Sequence, residues 1–412
     1  MRILFYYIHN LCPPRSGSHK RALWCVRQLV EVGHEVHFAS SSVHSEVPWT
    51  TASEEMLLQM GVRSVHIHRP SRVEKWMARV RRKLGITAKL PPLEDYDWVQ
   101  ISPGHRAWFH RLKNRLQPDC LFINYAWFAK FLDTADYQKY ETIMETQDVL
   151  GINQSHRKHV EDMLRQVRVG IVPPGAFAID LMQRLPEPEC AAEMAVYARF
   201  DKVIAISDAE EQVLVARIDK EKIYKIPNQE GAVTLDNRYN GKILVTAGPN
   251  PFNELGLRMF FTQVWPRVRE LCPEVQLVVT GMKREFESMQ IEGVEFAGFV
   301  DDLDTLYAAA PFTVSPVYVG TGQQVKVVES LARAVPVVAF DVSTVSPMLA
   351  QGVTGFRVSD AESMAQAIAK LWQDRELCRQ LGRAGQAVVA KDAARCSIKD
   401  LWEPKIEQGG MP

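Results

Sequence analysis

The chain has 412 residues, of which 46% are hydrophobic and 24% are charged, and its formal net charge is +0. This length and composition indicate a globular protein of two domains or slightly more, and the balanced charge excludes a general electrostatic attraction to nucleic acid. Its seven cysteines include no C-x-x-C pair, which indicates free thiols in a reducing compartment and not a zinc site or a disulfide framework.

The N-terminal residues "MRILFYYIHNL" lead directly into a short apolar run. A small-residue cleavage site does not follow, so the run predicts a first strand and not a signal peptide. No stretch of the sequence approaches the roughly 20 apolar residues that a membrane-spanning helix requires. We therefore expect a cytoplasmic protein.

Apolar runs of strand length alternate with helical patterns along the chain. In the first half the predicted strands are 3–8, 36–40, 65–69, 120–125, 142–146 and 203–206, and in the second half they are 243–247, 275–280, 294–297, 312–315 and 337–340. Runs that are apolar throughout are typical of parallel strands covered on both faces. The two series predict an α/β protein with two Rossmann-like, doubly wound parallel-sheet domains.

The segment 227–242, "PNQEGAVTLDNRYNGK", is polar and rich in Asn and Gly, which is typical of a domain boundary. We predict an N-terminal domain over 1–230, a linker over 231–241, a C-terminal domain over 242–390, and a tail over 391–412 that packs back on the N-terminal domain. Ligands of doubly wound sheets bind beyond the carboxyl ends of the strands. Two such domains facing a deep cleft would suit a two-substrate reaction.

The sequence "PPRSG" separates the first strand from a helix predicted over 18–32. Gly17 permits unusual backbone angles, and the N–H groups of a helix start suit an anion. A plain strand-to-helix turn is the alternative. The motif is not G-x-G-x-x-G, which disfavours a dinucleotide-dependent oxidoreductase.

The stretch 314–340 reads "VSPVYVGTGQQVKVVESLARAVPVVAF". Gly320 and Gly322 follow a strand, so a ligand could approach the backbone there. Lys326 lies in the first turns of the next helix, where it could contact phosphate. Glu329 lies on the same helical face, and a carboxylate can accept two hydrogen bonds from a ribose. The pattern predicts half of a nucleotide site; an ordinary surface Lys–Glu pair is the alternative.

Several segments together resemble the "group 1" family of GT-B glycosyltransferases. They are "VTAGPNPFNELGLRMFFTQVWPRVRELCPEVQLVVTG", "VEFAGFVDDLDTLYAAAPFTVSPVYVGTGQQVKVVESLARAVPVVAF", "FDKVIAISDAE", "IPNQE" and "VRQLVEVGHEVHFAS". Their order and spacing cover most of the chain. The resemblance implies a GT-B fold, with a nucleotide-sugar donor on the C-terminal domain and an acceptor on the N-terminal domain.

The family includes bacterial enzymes of surface polysaccharide and glycoconjugate assembly. The resemblance implies transfer from a UDP- or GDP-linked sugar to a glycan or lipid-linked acceptor, with retention of anomeric configuration and without a metal or other cofactor. By position, Glu329 would hold the donor ribose and Gly17 would face the donor phosphates. The other predicted donor-binding residues are Gly248, Asn250, Asn253, Lys283, Gly320, Thr321, Gly322, Gln323 and Lys326, and the predicted catalytic residues are Gln147 and Lys326.

The sequence departs from the family pattern at three places. Thr321 stands where many members have a glutamate. The loop "AGPNPFNELG" lacks their Arg and Lys, for which Asn250, Asn253 or the Lys283–Arg284 pair of "GMKRE" could substitute. In "ETQD", Gln147 replaces a histidine expected near the transferred sugar, and glutamine cannot carry a proton. The spacing selects none of the candidate imidazoles, which are His9, His19 and His105.

Two other functions remain open, the first because of these departures and the second because the same fold can carry it. One is a GT-B-like protein that binds a nucleotide or glycan with little or no turnover. The other is a hydrolase or epimerase of nucleotide sugars.

The segment Arg72–Lys89, "RVEKWMARVRRKLGITAK", has seven basic residues and one acidic residue. Its apolar residues recur at helical spacing, which predicts a basic amphipathic helix able to lie on an anionic membrane surface. A solvated helix that packs its apolar stripe on the N-terminal domain is the alternative. The first interpretation predicts peripheral association with the inner face of the plasma membrane.

Overall fold

The computed structural model describes residues 1–14, 16–43, 45, 47–74, 76, 80, 101–185, 190–320, 322–342, 344–393 and 397–403. The chain divides into two compact units. The first combines Met1–Gly151, Glu189–Pro227 and Cys396–Pro412, and the second combines Ile152–Pro188 and Asn228–Arg395.

The first unit contains a parallel sheet in the order β3-β2-β1-β4-β5-β6-β7. Its strands are β1 Arg2–Tyr6, β2 Glu35–Ser41, β3 Ser64–His68, β4 Cys120–Asn124, β5 Glu141–Glu145, β6 Lys202–Ala205 and β7 Ile223–Lys225. The register pairs Ile3 with Val36 on one side and with Cys120 on the other. The central strands are buried over almost their whole length, as their continuous apolar runs predict.

Helices connect these strands. They are α1 Gly17–Glu31, α2 Thr51–Gln59, α3 Pro103–Leu116, α4 Asp136–Lys139, α5 Leu150–Val167, which continues into the second unit, α7 Ala191–Tyr197 and α8 Asp208–Val215, with 3-10 turns at Ala126–Phe131, Lys220–Lys222 and Ile398–Leu401. Helix α1 begins at Gly17 because the Ser16 side chain accepts a hydrogen bond from the His19 backbone N–H.

The second unit contains a parallel sheet in the order β10-β9-β8-β11-β12-β13. Its strands are β8 Ile243–Thr246, β9 Leu277–Thr280, β10 Val294–Gly298, β11 Thr313–Ser315, β12 Val337–Phe340 and β13 Gly355–Val358. Its further helices are α6 Leu181–Arg184, α9 Pro251–Met259, α10 Trp265–Leu271, α11 Leu303–Ala309, α12 Val325–Ala332, α13 Ala361–Gln373 and α14 Arg375–Ala393, with a π turn at Phe260–Val264 and a 3-10 turn at Arg284–Phe286.

Every strand predicted from the sequence is present within two residues of its expected bounds. The edge strands β7 and β13 were not predicted. Each is short and carries a partly exposed charged residue, Lys225 in β7 and Arg357 in β13, so neither forms a fully apolar run. The prediction of two doubly wound parallel sheets is confirmed.

The unit boundaries differ from the sequence-based limits at the segment 152–188, at the expected linker and at the start of the expected tail. Residues 152–188, expected in the N-terminal domain, pack with the second unit, because Val160, Leu164 and Phe177 are buried in its main core. The expected linker 231–241 lies along the same unit, where the Val233 N–H donates to the Ala332 carbonyl at 2.8 Å. Of the tail, residues 397–403 belong to the first unit, whose core includes Ile398 and Leu401.

Candidate functional site

The carboxyl ends of the second sheet's strands carry most of the predicted donor-binding residues. Gly248 follows β8, Lys283 follows β9 and Gly320 follows β11. Strand β8 lies between β9 and β11. The chain after β8 connects to β9 on one side, and the chain after β11 connects to β12 on the other side, so the two connections leave the β8–β11 pair in opposite directions. Doubly wound sheets bind their ligands at such a switch point.

The loop after β8 is closed by two asparagines. Asn250 caps helix α9, and its side-chain oxygen accepts a hydrogen bond from the Asn253 backbone N–H at 2.8 Å. The Asn253 side chain is buried, and its Nδ2 donates to the Gly248 carbonyl at 2.8 Å. The loop is thereby held against the start of α9, and Asn253 Oδ1 remains to accept another donor.

Lys326 supplies that donor. Its Nζ lies 2.7 Å from Asn253 Oδ1, so three predicted residues, Gly248, Asn253 and Lys326, form one hydrogen-bonded chain across the β8–β11 switch point. Burial lowers the pKa of the half-buried Lys326 ammonium to about 8, against the opposing effect of nearby Glu329. Lys326 is therefore largely charged at neutral pH but poorly hydrated, which favours an anionic ligand.

Glu329 lies one helical turn after Lys326 and is 8% exposed. Its backbone carbonyl accepts a hydrogen bond from Arg333 Nη1 at 3.2 Å, and the same guanidinium binds Asp304 through Nε at 2.6 Å. The Arg333 guanidinium also lies 5.2 Å from the centre of the Tyr307 ring. The end of α12, which carries Glu329, is therefore firmly held.

Gln324 is a residue of this region that the sequence analysis missed. Its buried amide accepts a hydrogen bond from Ser315 Oγ at 2.6 Å and donates to the Val317 carbonyl at 3.2 Å and to Thr344 Oγ1 at 3.1 Å. These bonds hold the loop that contains Gly320 and Gly322 against the ends of β11 and β12. The sequence signal for Gln324 was a polar residue directly before the apolar helix that begins at Val325.

The glycine loop itself is only partly described. Thr321 lies outside the described residues. Gly320 has a φ of +154°, and a Cβ added there would meet nothing within 4 Å, so the space beside it is open. Gly322 is half-buried, and Gln323 Oε1 accepts a hydrogen bond from the Asn228 backbone N–H at 3.0 Å.

Gly281 is a second residue that the sequence analysis missed. It follows β9 with a φ of +85°, and an added Cβ would lie 1.9 Å from the Ala247 carbonyl oxygen. Only glycine allows the loops after β8 and β9 to approach this closely. Lys283, two residues further on, is exposed.

Gln147, the other predicted catalytic residue, belongs to the first unit and follows β5. Its backbone has a φ of +61°, an uncommon conformation for a residue other than glycine, and its side chain is 9% exposed. The Gln147 Nε2 donates to Asn124 Oδ1 at 3.1 Å, and Asn124 Nδ2 donates to the Tyr6 carbonyl at 2.9 Å. Backbone strain held by buried hydrogen bonds is typical of functional positions.

A buried ion pair supports this strand end. Arg21 of α1 and Glu145 of β5 lie 3.1 Å apart, with side chains 2% and 0% exposed. Arg21 Nη1 also donates to the Pro227 carbonyl at 2.9 Å. Burial raises the pKa of Glu145, and Arg21 partly offsets that effect. The pair fixes the residue two positions before Gln147.

Glu210 holds the residue next to Gln147. Burial raises the pKa of Glu210 to about 8, and Asp148 adds to the rise. Its carboxyl group accepts from the Ile206 backbone N–H at 2.6 Å and also contacts Thr146 Oγ1, which lies 2.9 Å from the Ile204 carbonyl. The Thr146 hydroxyl has a single proton, so a protonated Glu210 can donate to Thr146 while Thr146 donates to Ile204.

Gly17 is exposed at the first position of α1, as predicted. Two of the candidate histidines, His9 and His19, lie near this helix start with their ring centres 5.3 Å apart, beside Tyr7. The third, His105, is buried elsewhere in the first unit and stacks on His68 at 4.2 Å. Its packing indicates a core residue.

Among the described residues, one group has ligand atoms close enough for a metal ion. It consists of His110, Asp133 and Asp136, with ligand atoms within 4.8 Å of one another. Asp136 is paired with Lys113 and Asp133 with Arg106. Both carboxylates already have cationic partners, in a buried pair with Lys113 and an exposed pair with Arg106, so ion pairing explains this group.

Residues 241–374 match a family model described as glycosyl transferases group 1. This match agrees, over residues 241–374, with the resemblance to group 1 glycosyltransferases predicted from the sequence. The family match spans β8 to α13 and includes the Gly248–Asn253–Lys326 chain. A search of curated protein sequences finds no significant match.

Solved glycosyltransferase structures match nearly the whole chain. Sucrose-phosphate synthase from Thermosynechococcus elongatus is 15% identical with a TM-score of 0.65, covering 97% of this chain and 96% of that one. HepE from Anabaena in complex with UDP-glucose is 14% identical with a TM-score of 0.62, covering 97% of both chains. A variant of TarM from S. aureus in complex with fondaparinux, alpha-GlcNAc-glycerol and UDP is 11% identical with a TM-score of 0.66, covering 98% of both chains. This likeness confirms the predicted GT-B fold class.

Most of the basic segment Arg72–Lys89 lies outside the described residues. Within it, the side chains of Val73 and Trp76 are 63% and 64% exposed. Among the helices of the described ranges, none is both long and apolar enough to cross a membrane.

Proposed function

We propose that this protein is a glycosyltransferase that moves a sugar from a UDP- or GDP-linked donor to a glycan or lipid-linked acceptor, with retention of anomeric configuration. The observation that carries the proposal is the Gly248–Asn253–Lys326 hydrogen-bonded chain at the β8–β11 switch point, with buried Glu329 one turn further along α12. The complexes of HepE with UDP-glucose and of TarM with UDP support a UDP-linked donor.

Lys326 has the central role in this proposal. As the bond from the sugar C1 to the diphosphate breaks, the leaving diphosphate gains negative charge. The poorly hydrated Lys326 ammonium and the N–H groups at the start of α12 would stabilise that charge. Asn253 holds the ammonium in place at 2.7 Å, so little reorganisation is needed during the reaction.

The acceptor hydroxyl would attack C1 from the face that the diphosphate leaves. The new bond joins C1 to the acceptor oxygen, and the hydroxyl proton passes to a diphosphate oxygen, so no protein nucleophile and no metal are assigned. Gln147 would bind a donor-sugar hydroxyl through Oε1, because its Nε2 is held by Asn124. Glutamine cannot transfer the proton, and this route does not require it to do so.

The decisive test measures nucleotide release from UDP-, GDP- and CMP-sugars, with and without candidate glycan and lipid-linked acceptors. We expect acceptor-dependent release from one UDP- or GDP-sugar. Glu329→Ala should lose nucleotide binding, whereas Glu376→Ala, at an exposed position of the same unit, should retain it. Unchanged nucleotide binding in Glu329→Ala would contradict the proposed site.

A nucleotide- or glycan-binding protein without turnover is the second candidate. The observation that favours it is Gln147, whose amide is engaged by Asn124 and which cannot act as an acid or base. Binding without nucleotide release in every donor and acceptor combination would support this candidate. Sugar products formed without any acceptor would instead indicate a hydrolase or epimerase.

We also propose that the acceptor belongs to bacterial surface polysaccharide or glycoconjugate assembly, and that the segment Arg72–Lys89 contacts the inner face of the plasma membrane. The exposed Val73 and Trp76 side chains fit an apolar stripe that enters the headgroup region. Co-sedimentation with anionic vesicles should be lost in Arg81→Glu/Arg82→Glu and should be weak with neutral vesicles. Binding that survives this double substitution would refute the membrane contact.

A further inference from the structure

The second unit contains a cavity of about 370 Å³ between α5 and the loops that follow β8 and β9. This volume lies in the range of small-molecule sites and suits a ligand of one or two sugar rings. The charged residues that line it are Arg157, Glu161, Arg165, Arg168, Glu254 and Glu285. The cavity therefore combines three guanidinium groups with three carboxylates. How well each group can bind a ligand depends on the ion pairs and hydrogen bonds that it already makes within the protein.

Arg168 is fixed by the protein. Its Nε donates to Glu254 Oε1 at 2.8 Å, and its Nη2 contacts the other oxygen of the same carboxylate. Arg258 Nε also donates to Glu254 Oε1 at 2.9 Å. Burial would raise the pKa of Glu254, but the hydrogen bonds from Arg168 and Arg258 outweigh that effect and lower it. Glu254 is thus ionised and fully engaged, and the Arg168 fork is oriented at the cavity wall.

Arg157 and Arg165 are held only weakly. Each pairs with an acidic residue of its own helix, Arg157 with Glu161 and Arg165 with Asp162, and both guanidinium side chains are more than half exposed. Exposed pairs of this kind contribute about 0.5 kcal/mol or less. A ligand oxyanion could therefore recruit both forks at little cost, and guanidinium forks match the geometry of phosphate, sulfate or carboxylate.

The Glu285 carboxylate indicates a second feature of the ligand, a hydrogen-bond donor. Its Oε2 is buried and has no hydrogen-bond partner among the described residues. A buried acceptor without a partner costs roughly 1–3 kcal/mol, which the Glu285 side chain could recover by turning this oxygen toward a ligand hydroxyl in the cavity that it lines. An oxyanion beside hydroxyl groups is the chemistry of a charged sugar.

We propose that this cavity binds a saccharide that carries a phosphate, sulfate or carboxylate group, with the oxyanion at Arg157 and Arg165 and a hydroxyl at Glu285. The cavity adjoins the predicted donor site, because Asn250 lines it, but its lining does not include Lys326 or Glu329. Asn253 and Glu254 are consecutive residues of α9, so their side chains point about 100° apart, one toward Lys326 and the other toward the cavity. Binding there does not require that the protein transfer sugars.

Calorimetric titration of the full chain with glucose 6-phosphate, glucuronate and glucose tests the site. We expect the two charged sugars to bind and glucose to bind at least ten-fold more weakly. Arg157→Gln/Arg165→Gln should weaken the charged sugars at least ten-fold. Arg184→Gln is the matched control, because Arg184 is an equally exposed arginine of the same unit, paired with Asp180 and outside the cavity. Equal affinity in the double variant and the wild type would overturn the proposal.

Three further measurements distinguish a saccharide site from a simple anion site and from the donor site. Glu285→Ala should lower the affinity for glucose 6-phosphate several-fold without changing the affinity for inorganic phosphate. If inorganic phosphate binds the wild type as tightly as glucose 6-phosphate does, the cavity is a simple anion site and the proposal is overturned. UDP should still bind Arg157→Gln/Arg165→Gln, whereas Glu329→Ala should lose UDP, so failure of the donor site and failure of this cavity give different results. Competitive displacement of glucose 6-phosphate by UDP would place both in one site and would also overturn the proposal.

Discussion

Lys326→Met should remove a pH dependence of stability that the buried ammonium imposes on the second unit. Burial lowers the pKa of Lys326 from 10.5 to about 8 in the folded protein. The unfolded chain therefore binds a proton between about pH 8 and about pH 10.5 that the folded protein does not bind, so the free energy of unfolding rises with pH in this window. Below about pH 8 Lys326 is charged in both the folded and the unfolded state. The folded state then carries the full free-energy cost of burying the charge.

The lowered pKa corresponds to about 3 kcal/mol near neutral pH, since each pKa unit represents about 1.4 kcal/mol. By about pH 9.5 roughly 2 kcal/mol of this cost is relieved, because most folded molecules are then neutral at this position. Methionine has a similar length and no charge, so the variant avoids the cost at every pH. It leaves Asn253 Oδ1 without its donor, however, which costs roughly 1–3 kcal/mol at every pH.

Urea unfolding at about pH 7 and about pH 9.5 measures the effect, with Lys391→Met, at an exposed position of α14, as the control. We expect the wild type to gain about 2 kcal/mol relative to Lys326→Met between the two pH values, and no such gain relative to the control. A difference between wild type and Lys326→Met that is the same at both pH values would refute the inferred burial of a charged lysine. UDP binding gives a second readout, because it should weaken above about pH 8 in the wild type and show no such trend in the variant.

Three further substitutions test other parts of the structure by urea or thermal unfolding. Gly281→Ala should destabilise the second unit by about 3 kcal/mol or more, because its Cβ would overlap the Ala247 carbonyl oxygen; a stable variant would contradict the close approach of these loops. Arg21→Met should cost about 3–5 kcal/mol by leaving Glu145 buried without its cation, and adding Glu145→Leu should recover much of the loss; additive losses would contradict direct pairing. Leu401→Ala should cost about 2–5 kcal/mol if the tail contributes to the first core, and a neutral effect would exclude that role.

The sequence predicted part of the candidate site because that part is local. Lys326 and Glu329 are three residues apart in one helix, so helical geometry alone places them on one face. Asn253 is 73 residues from Lys326, and no spacing rule links two residues so distant. Gln324 was missed because its role depends on partners near the ends of β11 and β12, which only the folded chain brings together.

The arginines of the cavity show the same limit. The loop after β8 contains no Arg or Lys, and the sequence alone indicated a loss of basic residues there. In the structure, Arg168 reaches α9 from a segment 86 residues earlier in the chain and binds Glu254. Basic groups therefore surround the Pro249–Pro251 loop although none lies within it.

The sequence by itself determined the fold class, because strand-length apolar runs that alternate with helices can be buried on both faces only in parallel sheets. It also predicted α1 within one residue of its bounds and placed Lys326 in the first turns of α12. Only the tertiary structure decided that residues 152–188 join the second unit, that Arg21 and Glu145 form a buried pair, and that the Arg157–Arg168 segment lines a cavity. The physical reason is that burial and charge pairing depend on contacts between distant segments, whereas periodicity reports only which face of each element is apolar.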